Sequence, residues 1–148
     1  MRIPTDPDFS YFYAAYKQGG FKDHIIADLP PLLFQDAMEQ LLGSVSYDWI
    51  VDVGRLPVGL FLGKEVMAGY AAEIQVDWFP WATPRNRVEA TAAFIKYASR
   101  QIKLFIYADS GSELFFTRLA TQYRMLRKGC KITGGGEDKM FFYSPGPF

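Results

Sequence analysis

Hydrophobic spacing sorts the chain into helices and strands before any single residue is considered. Phe9, Phe12, Tyr13 and Tyr16 fall at i, i+3, i+4 and i+7, one face of a helix. Asp6 and Pro7 suit its N-cap and first position, and Gly19-Gly20 ends it. Tyr11 lies off that face and is expected at the surface. Residues 21–26 fit a short strand or a loop. Asp28 is placed to cap a second helix, with Pro30 and Pro31 in its first turn and Gly43 after it. Leu33, Ala37 and Leu41 make one stripe, and Phe34, Met38 and Leu42 widen it, so this helix is expected to be broadly buried.

From Tyr47 the period drops to two. Trp49, Val51 and Val53 alternate with Asp48, Ile50 and Asp52, a strand with one more buried face. Gly54 to Pro57 has turn chemistry. A second strand covers Val58 to Leu62; it either turns at Gly63-Lys64-Glu65 or continues to a turn at Ala68-Gly69-Tyr70, the preferred reading. A third covers residues 72–79. Three strands with short connections read as an antiparallel meander. A helix follows from Pro84 to about Gln101, with Val88, Ala92, Ile95, Ala98 and Ile102 on its apolar stripe. The short apolar strand 103–108 comes after almost no loop, which makes a β-α-β crossover with parallel strands. Ser110 to Glu113 is a capping box opening a helix with Phe115, Leu119, Tyr123 and Leu126 on one side, ended by Gly129. Two last strands, 128–133 and 140–144, are joined by a hairpin at 134–138. The order is α-α-β-β-β-α-β-α-β-β. It predicts an α+β fold: a mixed, mostly antiparallel sheet with one crossover and helices on both faces.

Composition narrows the function. The 148 residues favour one domain spanning 1–148, with the aromatic helix at 6–19 as a candidate partner-facing extension. Lysine plus arginine equals aspartate plus glutamate, 16 each, which argues against a nucleic-acid or anionic-membrane surface. Zero net charge also gives little colloidal repulsion, which suits a protein living in an assembly or a homo-oligomer. One cysteine and one histidine cannot build a usual zinc site. The lone cysteine, Cys130, fits a reducing compartment and reads as core packing. No apolar run is long enough for a membrane span, and the N-terminus lacks the apolar stretch of a signal peptide. A cytoplasmic location is expected.

The chemistry concentrates where the third strand meets the crossover helix. Trp78-Phe79-Pro80-Trp81 is an aromatic corner. Thr83-Pro84-Arg85-Asn86-Arg87 then opens the helix. Helix N-termini present free N–H groups and partial positive charge, so this is a seat for an anionic ligand. Cations are unfavourable at that end, so two arginines there call for a reason. A single histidine, His24, is more often structural than catalytic. The glycine tract at 134–136, followed by Glu137 and Asp138, reads as a hairpin tip. The last residues, 144–148, read as an extended tail able to clip onto a neighbour.

From about Asp28 to Ser144 this order of elements resembles the GNAT acyltransferase superfamily. Residues 54–62, GRLPVGLFL, are similar to the family's strand turn followed by a V-G-F/L strand. Glu73-Ile74-Gln75-Val76 sits in the place of the central strand, and Lys128-Gly129-Cys130 in that of the L-G-F segment. The family's phosphate signature, [Q/R]-x-x-G-x-[G/A], falls on Arg85-Asn86-Arg87-Val88-Glu89-Ala90; Arg85 and Ala90 match, and Val88 stands in place of glycine. The resemblance implies transfer of an acetyl group from acetyl-CoA to an amine of a small molecule or protein. It implies acetyl-CoA in a splay between strands 72–79 and 103–108, with a main-chain N–H near Trp78 or Phe79 for the thioester carbonyl. It implies Glu73, then Asp77, as the proton-accepting carboxylate. It implies Tyr123 as acid for the departing thiolate, although Gly129 follows six residues later where the family has four. The chain also resembles, in general appearance, short acetyltransferase-like proteins of tailed phages, some of them virion components. That implies the alternative of a GNAT fold kept as a structural or interaction protein in a virion.

Overall fold

The computed structural model describes residues 2–5, 7–22, 24–108, 113–121, 126–134 and 137–144. Its elements are α1 (Asp8–Lys17), α2 (Pro31–Gly43), β1 (Tyr47–Val53), β2 (Leu56–Met67), β3 (Ala71–Trp78), α3 (Pro84–Ala98), β4 (Lys103–Ala108), α4 (Glu113–Thr121), β5 (Arg127–Gly134) and β6 (Glu137–Tyr143). This is the order read from periodicity. The strands form one six-stranded sheet in the order β1-β2-β3-β4-β6-β5. β1/β2, β4/β6 and β5/β6 are antiparallel, and β3/β4 is the parallel pair that the crossover requires.

The chain folds as two compact units, one of residues 1–63 and 76–90, the other of 64–75 and 91–148. In the first, the aromatic face of α1 turns inward. Phe12 and Tyr16 join Phe21, Ile25, Phe34, Met38, Ile50, Leu60, Leu62 and Phe79 in one core, with Phe9 and Tyr13 packed against it. Phe12 stacks on Phe79 at 5.9 Å and Tyr16 on Phe34 at 4.6 Å. Tyr11 is exposed, as its place off that face predicts. In the second unit Ile95, Ala98, Ile102, Leu104, Ile106 and Leu119 are buried, and Phe116 packs on Phe142.

Four local expectations are corrected. The N-cap of α2 is Pro30, not Asp28; Asp28 sits earlier, at φ 63°, in the left-handed region that Asp tolerates. α2 is buried along a narrower stripe than its sequence suggests. Phe34 and Met38 are covered, but Leu32 and Leu33 in its first turn are exposed. In β1 the most buried residues are Ile50 and Val51, adjacent positions on opposite faces. Gly129 lies within β5 rather than ending α4. Asp6 and the capping residues 110–112 lie outside the described residues.

The N-terminus is fastened to β1. Arg2 and Ile50 exchange both main-chain hydrogen bonds, at 2.9 and 2.6 Å. The Arg2 guanidinium grips Asp8 at 2.5 and 2.7 Å and Asp52 at 2.8 and 3.2 Å. Asp8 also accepts the Thr5 N–H at 2.8 Å. Burial pushes the Asp8 carboxyl up, but these bonds outweigh it and hold it below the ordinary carboxylate range. On β6's far side, Ser144 closes the β4 ladder: Leu104 N–H donates to its Oγ at 2.8 Å, and its own N–H donates to the Leu104 carbonyl.

Candidate functional site at the strand–helix corner

The corner is built from tightly packed aromatics. Phe79 is fully buried and stacks on Trp81 at 5.1 Å, while the Trp81 indole N–H donates to the Pro57 carbonyl at 2.7 Å. Trp78 meets Phe61 edge-on at 5.7 Å and lies flush against Gly59. A Cβ on Gly59 would sit 2.9 Å from the Trp78 ring, so glycine is what lets the indole seat there. The cluster is therefore the frame that sets where α3 begins.

One donor expected at this corner is taken. The Phe79 N–H donates to the Val58 carbonyl at 3.0 Å, which removes Phe79 as the group for a ligand carbonyl. Neighbouring N–H groups on a strand point to opposite sides, so that of Trp78 points away from β2.

The start of α3 caps itself. Thr83 Oγ1 accepts the Asn86 N–H at 3.1 Å, and Asn86 Oδ1 accepts the Thr83 N–H at 3.2 Å. This is a reciprocal capping box with Asn in the place of Glu. The Arg87 N–H goes to the Thr83 carbonyl and Pro84 has none. Both the amide and the side chain of Asn86 are thus committed within the chain, against its expected role in binding a cofactor. Ala90 is buried and Val88 half-buried, so neither offers bare backbone in the way glycine would. The positive charge remains. Arg85 is exposed, with its Nε 3.0 Å from Glu89 one turn on, a solvated pair of small energetic weight. Arg87 lies over the Trp78 ring at 5.7 Å. Its Nε is buried and, among the described residues, has no hydrogen-bond partner. A buried cationic donor left open is the feature that fits an anionic group such as the pyrophosphate of acetyl-CoA. The fit rests on arginine side chains more than on backbone.

The two expected carboxylates sit differently. Glu73 is exposed on β3, in register with Phe105. Asp77 is nearly covered, and its Oδ2 lies 3.0 Å from Nε2 of His24, each side chain 15% exposed. No local sequence signal marks this pairing, since His24 belongs to the segment between α1 and α2. Tyr123 lies outside the described residues, as does the Cys130 side chain. A cavity of about 360 Å³ opens in the α1–α2 segment, lined by Tyr16, Lys17, Lys22, Ile25, Ile26 and Asp28 among others, none of them a predicted site residue.

The sequence matches no protein-family model and no curated protein. Solved structures do match. A spermidine N-acetyltransferase chimera of Vibrio cholerae SpeG and hSSAT is similar with a TM-score of 0.67 at 11% identity, covering 97% of this chain and 94% of that one. A ribosomal-protein-alanine N-acetyltransferase from Brucella melitensis gives 0.61 at 13%, covering 97% of each. A GNAT superfamily phosphinothricin acetyltransferase from Sinorhizobium meliloti, in complex with AcCoA, gives 0.60 at 12%, covering 97% and 86%.

Proposed function

We propose that this chain, whose fold is that of the GNAT acetyltransferases, transfers an acetyl group from acetyl-CoA to an amine of a small molecule or protein. The observation that carries the reading is the buried, open Nε of Arg87 at the start of the crossover helix. Acetyl-CoA supplies the activated thioester. Arg85 and Arg87 hold its pyrophosphate through charge-assisted hydrogen bonds. The main chain at Trp78 faces the acetyl carbonyl and stabilises the negative charge that develops on it. Asp77, with Glu73 as the other carboxylate of β3, takes the amine proton. Tyr123 serves as the acid for the thiolate.

Calorimetric titration with acetyl-CoA is the direct test. Binding is expected, and Arg87→Ala should weaken it roughly tenfold or more, since a hydrogen bond to a charged group is worth about 1.5–3 kcal/mol. Arg85→Ala should weaken it only several-fold, because that side chain is solvated. No heat at millimolar acetyl-CoA sinks the reading.

A second reading is favoured by the Thr83–Asn86 capping box and by Val88, which close much of the backbone cradle. There the fold persists as an assembly component, for instance in a virion, without catalysis. It requires a protein that ignores acetyl-CoA and self-associates in sedimentation runs across concentration.

A further inference from the structure

We infer that the His24–Asp77 pair is the proton acceptor of the reaction, with His24 as a catalytic residue supplied by the segment between α1 and α2. This rests on the acetyltransferase reading above and adds to it a residue that neither the fold nor the sequence assigns.

The pair is close, partly covered and held in place. His24 Nε2 lies 3.0 Å from Asp77 Oδ2, and both side chains are 15% exposed. The segment carrying His24 is pinned on both sides. Phe21 and Ile25 are buried in the first unit's core, and Phe21 packs edge-on against Phe12 and Phe79. The N–H groups of His24 and Ile25 both donate to the Phe21 carbonyl, a tight turn that aims the ring. The Tyr16 hydroxyl donates to the Ile26 carbonyl and accepts the Leu29 N–H at 2.9 Å. Two non-glycine residues bracket the turn in left-handed conformation, Phe21 at φ 62° and Asp28 at φ 63°. A bulky Phe adopts that conformation only where surrounding structure enforces it, and such strain gathers at functional sites. Among the described residues, the other charged groups of this segment, Lys17 on α1 and Lys22 and Asp28 on the connection, are exposed. Arg87 of α3 is turned to the Trp78 ring. The imidazole thus lies within ion-pair distance of Asp77.

The location suits the task. Asp77 directly precedes Trp78, so its Cα is about 3.8 Å from that of the residue assigned to the acetyl carbonyl. In the transfer, the amine nitrogen forms a bond to the carbonyl carbon and the carbon–sulfur bond breaks. The amine's proton passes to the pair, directly or through water, and the CoA thiolate leaves to be protonated separately. The pair shares that proton between the ring and the carboxylate, whose Oδ2 lies 3.0 Å from Nε2. Two groups acting together hold that charge better than a lone carboxylate.

The experiment measures acetyl-CoA turnover with a panel of small amines and an N-terminal peptide, by release of free thiol. His24→Ala should lose about a hundredfold or more in kcat while the KM for acetyl-CoA stays within a few-fold, since general-base catalysis contributes about 10²–10⁴. Added imidazole should restore part of the rate to His24→Ala, which a merely structural role would not allow. His24→Gln and Asp77→Asn, both gentler on the fold, should lose kcat in the same direction. Turnover by the wild type with both gentle variants at wild-type kcat overturns the inference and leaves the acetyltransferase reading standing. Absence of turnover and of acetyl-CoA binding in the wild type overturns both.

Discussion

Removing the Arg2 guanidinium should be the most damaging single change near the N-terminus. Arg2→Met keeps the main-chain bridge to Ile50 and much of the side chain's apolar length. It deletes four charge-assisted contacts to Asp8 and Asp52. Asp8 is 3% exposed and cannot turn to water, so its charge is left buried against the N–H and hydroxyl of Thr5, two neutral donors. Breaking a buried pair costs about 3–5 kcal/mol. The Arg2 side chain is 37% exposed, and solvent screens part of its attraction, so about 2–3 kcal/mol is expected. At about 2–4 °C per kcal/mol for a chain of this size, Tm should fall by roughly 5–10 °C at pH 7. The pH dependence has a definite sign. Asp8 is held below its unfolded pKa of about 3.9. Its contribution is therefore complete above that value and is lost as pH falls through the folded one. Melting curves of wild type and Arg2→Met, followed by circular dichroism, should be far apart at pH 7 and converge in acid. Adding Asp8→Asn to Arg2→Met should recover part of the loss at pH 7 by removing the stranded charge. A gap under 1 °C at neutral pH, or one that ignores pH, refutes the reasoning.

Other outcomes follow from single contacts. Burial pushes the Asp48 carboxyl up, so its folded form favours the proton, and stability is lost as pH rises through its folded pKa. Asp48→Asn should melt higher than wild type at pH 7 and level with it near pH 3. Gly59→Ala drives a Cβ into the Trp78 ring and should cost about 1–3 kcal/mol, with a change in tryptophan emission as the indole is displaced. Ser144→Ala strips the buried Leu104 N–H of its acceptor and should cost about 1–3 kcal/mol in denaturant unfolding.

The element order was legible because each element carries its own periodicity. The crossover could be read because strand 103–108 follows its helix too closely for an antiparallel return. Burial was less legible. Leu33 fits the α2 stripe by spacing, yet it stands in the first turn, where the helix presents little to the core. The start of α3 held a readable signal, Thr83 followed three residues later by Asn86, a capping box in relaxed form. Reading it would have shown in advance that the Asn86 amide is not available to an anion. His24–Asp77 was out of reach, because nothing local in either stretch points to the other. It exists only through the turn at Phe21, whose left-handed backbone no propensity would assign to phenylalanine.

The bridge between Arg2 and Ile50 has a consequence for how copies of this chain meet. β1 is the outermost strand on its side of the sheet. Such a rim offers unpaired donors and acceptors, a template on which another chain can lay a strand. Here Ile50 gives both its main-chain groups to Arg2, and the cation beside them is fixed between two carboxylates. A strand arriving from outside would have to displace that clasp first. With a formal net charge of zero, long-range repulsion does not keep molecules apart. Defence against fibre-like growth along this rim is therefore steric and local, and Arg2→Met should weaken it as well as the fold.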